Sequence, residues 1–109
     1  MEENLYDTSK LIEYYREKKD VRGFTTILNL IEFPKALKFN LKVVYPTKSD
    51  YELALRLSMN LIEKGKHISA VDAVIAAIAI NNNLTLITGD KHFQFVKDFF
   101  TEKFKVLIE

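Results

Sequence analysis

The sequence predicts an α/β protein: a three-layer α/β/α sandwich around a mainly parallel central sheet. Two observations carry this expectation. Short apolar runs at Asn4–Tyr6, Phe24–Ile27, Lys42–Tyr45, Leu84–Thr88 and Val106–Ile108 alternate with segments of helical periodicity along the whole chain. The segment from Ser69 to Ile80 is apolar on nearly every face, as expected of a helix buried at the centre of a domain.

In chain order, Asn4–Tyr6 is a first strand that ends at Asp7. A helix follows from about Thr8 to Lys18, with Leu11, Ile12 and Tyr15 on one face and charge on the other. Asp20–Gly23 reads as a turn and Phe24–Ile27 as a brief strand. The run from Leu28 to Phe39 reads as one helix, kinked by Pro34 and stopped at Asn40. Lys42–Tyr45 is a strand closed by Pro46. Ser49 and Glu52 fit a capping box for a helix that buries Leu53, Leu57 and Leu61 and stops at Gly65. Ser69 opens the apolar helix, three asparagines turn the chain, and Leu84–Thr88 reads as a buried strand. A helix from Lys91 to about Phe99, with Phe93, Val96 and Phe99 or Phe100 inward, leads to a last strand at Val106–Ile108.

With 109 residues and neither repeats nor a linker, residues 1–109 are expected to form one domain. Cysteine is absent, which removes disulfides and thiolate-metal sites and suits a cytoplasmic setting. The N-terminal stretch lacks the pattern of a secretory leader, and no apolar run approaches the ~18 residues of a membrane span. A net charge of +1 is not the footprint of a strongly basic nucleic-acid binder. Two local basic clusters stand out: Arg16, Lys18, Lys19 and Arg22 near Tyr14 and Tyr15, and Lys35, Lys38 and Lys42. Both read most simply as solvated helix ends.

Four acids in otherwise apolar surroundings are the candidate functional residues: Asp7, Glu32, Asp72 and Asp90. Each has a structural explanation. Asp7 and Asp90 can cap the helices that follow them, Ser69 and Asp72 fit a capping box, and Glu32 can pair with Lys35. Their joint placement says more. Asp7 and Asp90 fall just past strand ends and Asp72 in a first helical turn, which is the edge where parallel sheets bind ligands. Acids gathered there repel one another and raise one another's pKa values, and a cation offsets the repulsion. Oxygen donors without cysteine suit Mg²⁺ or Mn²⁺, and His67 and His92 are too few and too scattered for a zinc set. Such a site serves phosphoryl chemistry.

At these residues the chain resembles the PIN domain family, in the small form found in VapC-like toxins. The resemblance rests on Leu5–Ser9, Glu32, Ala70–Ala77 and Leu86–Phe93, in matching order and spacing over nearly the whole chain. It implies a Mg²⁺- or Mn²⁺-dependent ribonuclease, with Asp7, Glu32, Asp72 and Asp90 in the catalytic and metal-binding positions and Thr88 as an accessory polar group. It also implies an RNA substrate, a homodimer and, for toxin members, an antitoxin that blocks the acidic cleft. In two places the chain departs from the family pattern. The segment between Glu32 and Asp72 is shorter than many members carry, and His92 stands where many have a further acid. A housekeeping RNA-processing nuclease and a PIN-like binding module without catalysis are the alternatives. A receiver-type phospho-acceptor fits poorly, because Asp7 lacks an adjacent acid.

Overall fold

The structure, a computed structural model, describes residues 3–100 and 102–109; Met1 and Glu2 of the N-terminal stretch lie outside the described residues. Five strands form one sheet: β1 (Asn4–Tyr6), β2 (Phe24–Thr26), β3 (Lys42–Val44), β4 (Thr85–Thr88) and β5 (Lys105–Ile108). Their order is β3-β2-β1-β4-β5 and every pairing is parallel. The chain therefore builds outward from β1 to one edge, crosses back, and builds outward again from β4. The strand order reverses between β1 and β4, where the register pairs Leu5 with Leu86 and Tyr6 with Ile87.

Alternation along these two central strands divides the core. Leu5 and Leu86 face a cluster with Leu57, Leu61, Ile75, Ile78, Phe93 and Val96, supplied by α3 (Lys48–Glu63), α4 (Ala70–Asn81) and α5 (Phe93–Phe99). Tyr6 and Ile87 face the other layer, where α1 (Thr8–Arg16), α2 (Ile27–Glu32) and a 3₁₀ helix (Pro34–Phe39) bring Leu11, Leu30, Ala36 and Phe39. The three layers follow from this division. Ala73 through Ala79 are all buried, so α4 is the central helix that its composition predicts.

Local chemistry sets the ends. Gly23 at φ +130° lets β2 approach β1 closely, since a Cβ there would stand 2.7 Å from the Asn4 carbonyl oxygen. Gly65 at φ +74° follows the last turn of α3. The start of α3 differs from the sequence expectation. Thr47 is its N-cap and exchanges bonds with Asp50, rather than Ser49 with Glu52. Both pairs satisfy the spacing, but Asp50 is also reached by the Asn81 amide at 2.7 Å, so the Thr47 frame satisfies a buried carboxylate.

The helix expected over Leu28–Phe39 is instead two elements. Phe33, at φ −142° and ψ 77°, leaves the helical region because the residue before a proline is disfavoured there. Glu32 is thus the last residue of α2 rather than an interior one. α5 begins at Phe93, two residues later than expected, and Phe100 rather than Phe99 turns inward.

Candidate active site

The carboxyl ends of β1 and β4 meet at the reversal of strand order, and Asp7 and Asp90 lie just beyond them. Asp7 is the N-cap of α1, accepting the Lys10 backbone N–H at 3.3 Å. It is only 6% exposed. Its Oδ1 also accepts the Ser9 hydroxyl at 2.7 Å, and its Oδ2 accepts the Thr88 hydroxyl from the end of β4. Thr88 in turn accepts the Asp90 N–H at 2.9 Å, and Ser9 accepts the Gly89 N–H at 3.0 Å. Two hydroxyls therefore tie the ends of β1 and β4 together through Asp7.

Asp90 does not cap α5. Its Oδ1 accepts both the backbone N–H of His92, at 2.9 Å, and a contact from His92 Nδ1 at 2.8 Å. His92 is exposed. Glu32 does not pair with Lys35. Its Oε1 accepts the Thr8 hydroxyl at 2.6 Å, so α2 is turned back onto the start of α1. Thr8 is held by the buried Asn29 amide at 3.0 Å, and Asn29 Oδ1 accepts the Thr26 hydroxyl at 2.7 Å. Asp72 occupies the first turn of α4, where Ser69 caps its backbone N–H at 3.1 Å.

Electrostatics tie the four acids together. Burial pushes Asp7 above the usual carboxylate range against the pull of Thr88, Ser9 and Lys10, and the charge of Asp90 adds to the rise. Burial also raises Asp72. The Ser69 side chain pulls it back, and the charges of Asp90, Asp7 and Glu32 push it further up. The charges of all three other acids thus act in the same direction on Asp72.

As the side chains stand, no three acids or histidines among the described residues form a ready ligand set for a metal ion. Asp7 is engaged by two hydroxyls, Asp90 by His92 and Glu32 by Thr8. The donor chemistry nevertheless fits a hard divalent cation, since all four groups offer carboxylate oxygens and two are raised in part by mutual repulsion.

Sequence reasoning missed Thr8, Ser9 and Asn29. Thr8 and Ser9 directly follow Asp7, a hint that its neighbours are polar, but their partners depend on sheet register and helix placement.

An all-parallel sheet with Asp7 and Asp90 at the reversal of strand order defines an α/β domain with an acidic edge. Comparison with protein families matches the PIN domain over residues 29–98, more than half of the chain. The chain belongs to the PIN domain family. The match includes Glu32, Asp72 and Asp90 and begins after Asp7.

Among solved structures, the DNA-bound VapBC from Salmonella typhimurium is similar with a TM-score of 0.79 at 16% identity, covering 99% of this chain and 98% of that one. VapBC-5 from Mycobacterium tuberculosis, of the VapBC family of toxin-antitoxin systems, gives 0.70 at 22% identity over 96% and 95%. VapBC2 from Rickettsia felis, bound to a promoter DNA fragment, gives 0.73 at 16% identity over 96% and 97%. These likenesses show the fold. A search of curated proteins finds no match.

Proposed function

We propose that this PIN domain is a Mg²⁺- or Mn²⁺-dependent ribonuclease and the toxin of a toxin–antitoxin pair. The observation that carries the reading is geometric: Asp7 and Asp90 lie just past β1 and β4 at the reversal of strand order, and Thr88 bonds to both. Those four carboxylates would hold the ion. Bound there, a divalent cation polarises a phosphodiester and lowers the pKa of a water. The chain's own groups do the positioning. Thr88 and Ser9 fix the rotamer of Asp7, and the Thr26–Asn29–Thr8 series fixes Glu32.

The partners follow from the same reading. The solved neighbours are VapBC toxin–antitoxin complexes, which supports a small antitoxin protein as a partner. A homodimer is supported by α3, where Tyr51, Leu55, Met59 and Ile62 form an exposed apolar row at helical spacing. No helix among the described residues is long and apolar enough to cross a membrane, and a cytoplasmic setting suits a nuclease acting on cellular RNA.

The test is incubation of the protein with labelled single-stranded RNA and Mn²⁺, with and without EDTA. Cleavage is expected with Mn²⁺ and absent in EDTA, and Asp7→Asn and Asp90→Asn are expected to lose it at least 100-fold. One observation favours a second reading, a binding module without catalysis: the acids are hydrogen-bonded within the protein and form no ready ligand set. RNA binding without Mn²⁺-dependent cleavage would favour it.

A further inference from the structure

Members of the two basic clusters that read as solvated helix ends are linked by the 3₁₀ helix and by a cavity at its end, which Arg22 and Lys42 line together with Phe39 and Asn40. The break at Phe33 converts the second half of the expected helix into a 3₁₀ helix, and in that geometry side chains three apart stand in line. Lys35 and Lys38 are three apart, and both ammonium groups lie over the Tyr15 ring of α1, at 5.8 and 5.0 Å from its centroid. Tyr15 is itself held edge-on by Phe33 and Phe39, at 5.5 and 6.4 Å, so the two cations share a fixed platform.

The 3₁₀ helix starts two residues after Glu32 and carries the chain toward the start of β3, at the opposite edge of the sheet. There Lys42 lies over the Phe24 ring at 5.6 Å. Lys42 and Arg22 line a cavity of about 420 Å³, together with Phe24, Phe39 and Asp20. Among the described residues, the ion pairs engage Lys10, Lys19 and His92, and none engages Arg22, Lys35, Lys38 or Lys42. Four cations with no carboxylate partner among the described residues therefore follow the 3₁₀ helix from just after Glu32 to the cavity at the amino ends of β2 and β3. Asp20 is the acid in the cavity lining.

We propose that this row, Lys35, Lys38, Lys42 and Arg22, is a track for the phosphate backbone of single-stranded RNA leaving the acidic edge. The charge is complementary to a polyanion, and aromatic groups set among cations suit a single strand. The row also explains how a chain of net charge +1 holds a polyanion beside an acidic site: these four cations are not neutralised by ion pairs among the described residues. The proposal rests on RNA being the substrate, but its test does not need catalysis.

Binding of a labelled single-stranded RNA 12-mer is followed by fluorescence anisotropy in EDTA, across a series of salt concentrations. The native chain is compared with Arg22→Ala/Lys35→Ala/Lys38→Ala/Lys42→Ala and with a control carrying Lys64→Ala/Lys66→Ala/Lys103→Ala/Lys105→Ala, each checked for folding by circular dichroism. The track variant is expected to weaken binding at least tenfold and to flatten the logarithmic salt slope by about 2–3, the share of four phosphate contacts on a single strand. The control is expected to change neither by more than about twofold. Native affinity and slope in the track variant, equal losses in the control, or displacement of the RNA by a poly-glutamate peptide at comparable concentration would each overturn the proposal. If binding behaves as expected while Mn²⁺ elicits no cleavage, the nuclease reading fails alone. If the track variant binds and cleaves like the native chain, the track fails alone.

Discussion

The Thr88 hydroxyl donates to Asp7 Oδ2 across the ends of two neighbouring parallel strands, and the Thr88 oxygen itself accepts the Asp90 N–H at 2.9 Å. One side chain thus positions two of the candidate acids. Thr88→Val keeps the shape and removes both bonds, leaving the Asp90 N–H without that acceptor and Asp7 with one hydroxyl donor fewer. Stability is expected to fall by about 1–3 kcal/mol. Mn²⁺-dependent cleavage is expected to fall at least tenfold, whereas Thr88→Ser retains most of it. Urea denaturation and RNA cleavage by the two variants check this. A Val variant as active as the native chain would remove Thr88 from the site.

Asp72 gives the cleanest test of convergence without a substrate. Its carboxyl is raised by burial and by the charges of Asp90, Asp7 and Glu32. Asp72→Asn removes the repelled charge and keeps the size. In EDTA the melting temperature is expected to rise by about 2 °C or more, which a fraction of a kcal/mol provides in a domain of this length. If the residue served only α4, losing a negative charge from its first turn would lower stability by about 0.3–1 kcal/mol. Mn²⁺ is then expected to stabilise the native chain more than the variant, because the variant has lost a ligand. Calorimetry with EDTA and with Mn²⁺ reads both effects.

The pH dependence has a definite sign. Burial raises both Asp7 and Asp72 above their unfolded values, so between the two values the folded chain binds more protons than the unfolded one. Stability contributed by these groups therefore falls as pH rises through that window, and above the folded pKa values the full penalty is present. It is relieved as pH falls toward the unfolded value near ~4. In EDTA, an Asp7→Asn/Asp72→Asn variant is expected to exceed the native chain in melting temperature at pH 7, with the gap closing as pH approaches ~4. Asparagine remains a good N-cap, so α1 survives the change. A gap that widens on acidification would contradict the shared penalty.

Much of this arrangement is legible in the chain. Alternating apolar strands and helices give the parallel three-layer fold, and Asp7 and Asp90 stand out because each falls just past an apolar strand. The Pro34 break is visible, but not that the following turn is 3₁₀, because the Lys35–Phe39 run suits either helix. The start of α3 is ambiguous because Thr47-Lys-Ser-Asp50 and Ser49-Asp-Tyr-Glu52 both fit a cap, and only the arrival of Asn81 from α4 separates them. The partners of Ser9, Thr8 and Asn29 depend on sheet register and helix placement, which residue order does not carry.

Asp50 and Asn81 make a prediction independent of any function. Asp50 is 1% exposed, and its charge is satisfied by the N-terminus of α3, by the Thr47 N–H at 2.8 Å and by the Asn81 amide at 2.7 Å. The last of these joins the start of α3 to the end of α4, the two helices that cross from β3 to β4. Asn81→Ala removes a donor from a buried carboxylate and is expected to cost about 1–3 kcal/mol, more than the small gain in helix propensity returns. The urea midpoint should fall with an unchanged slope, since the unfolded surface is the same. Asn82→Ala, which releases only the Ile78 carbonyl beside an exposed side chain, should cost less. Cleavage at the far acidic edge should be the same in both variants while they remain folded, and equal stability losses would show that Asp50 draws its support from the helix end alone.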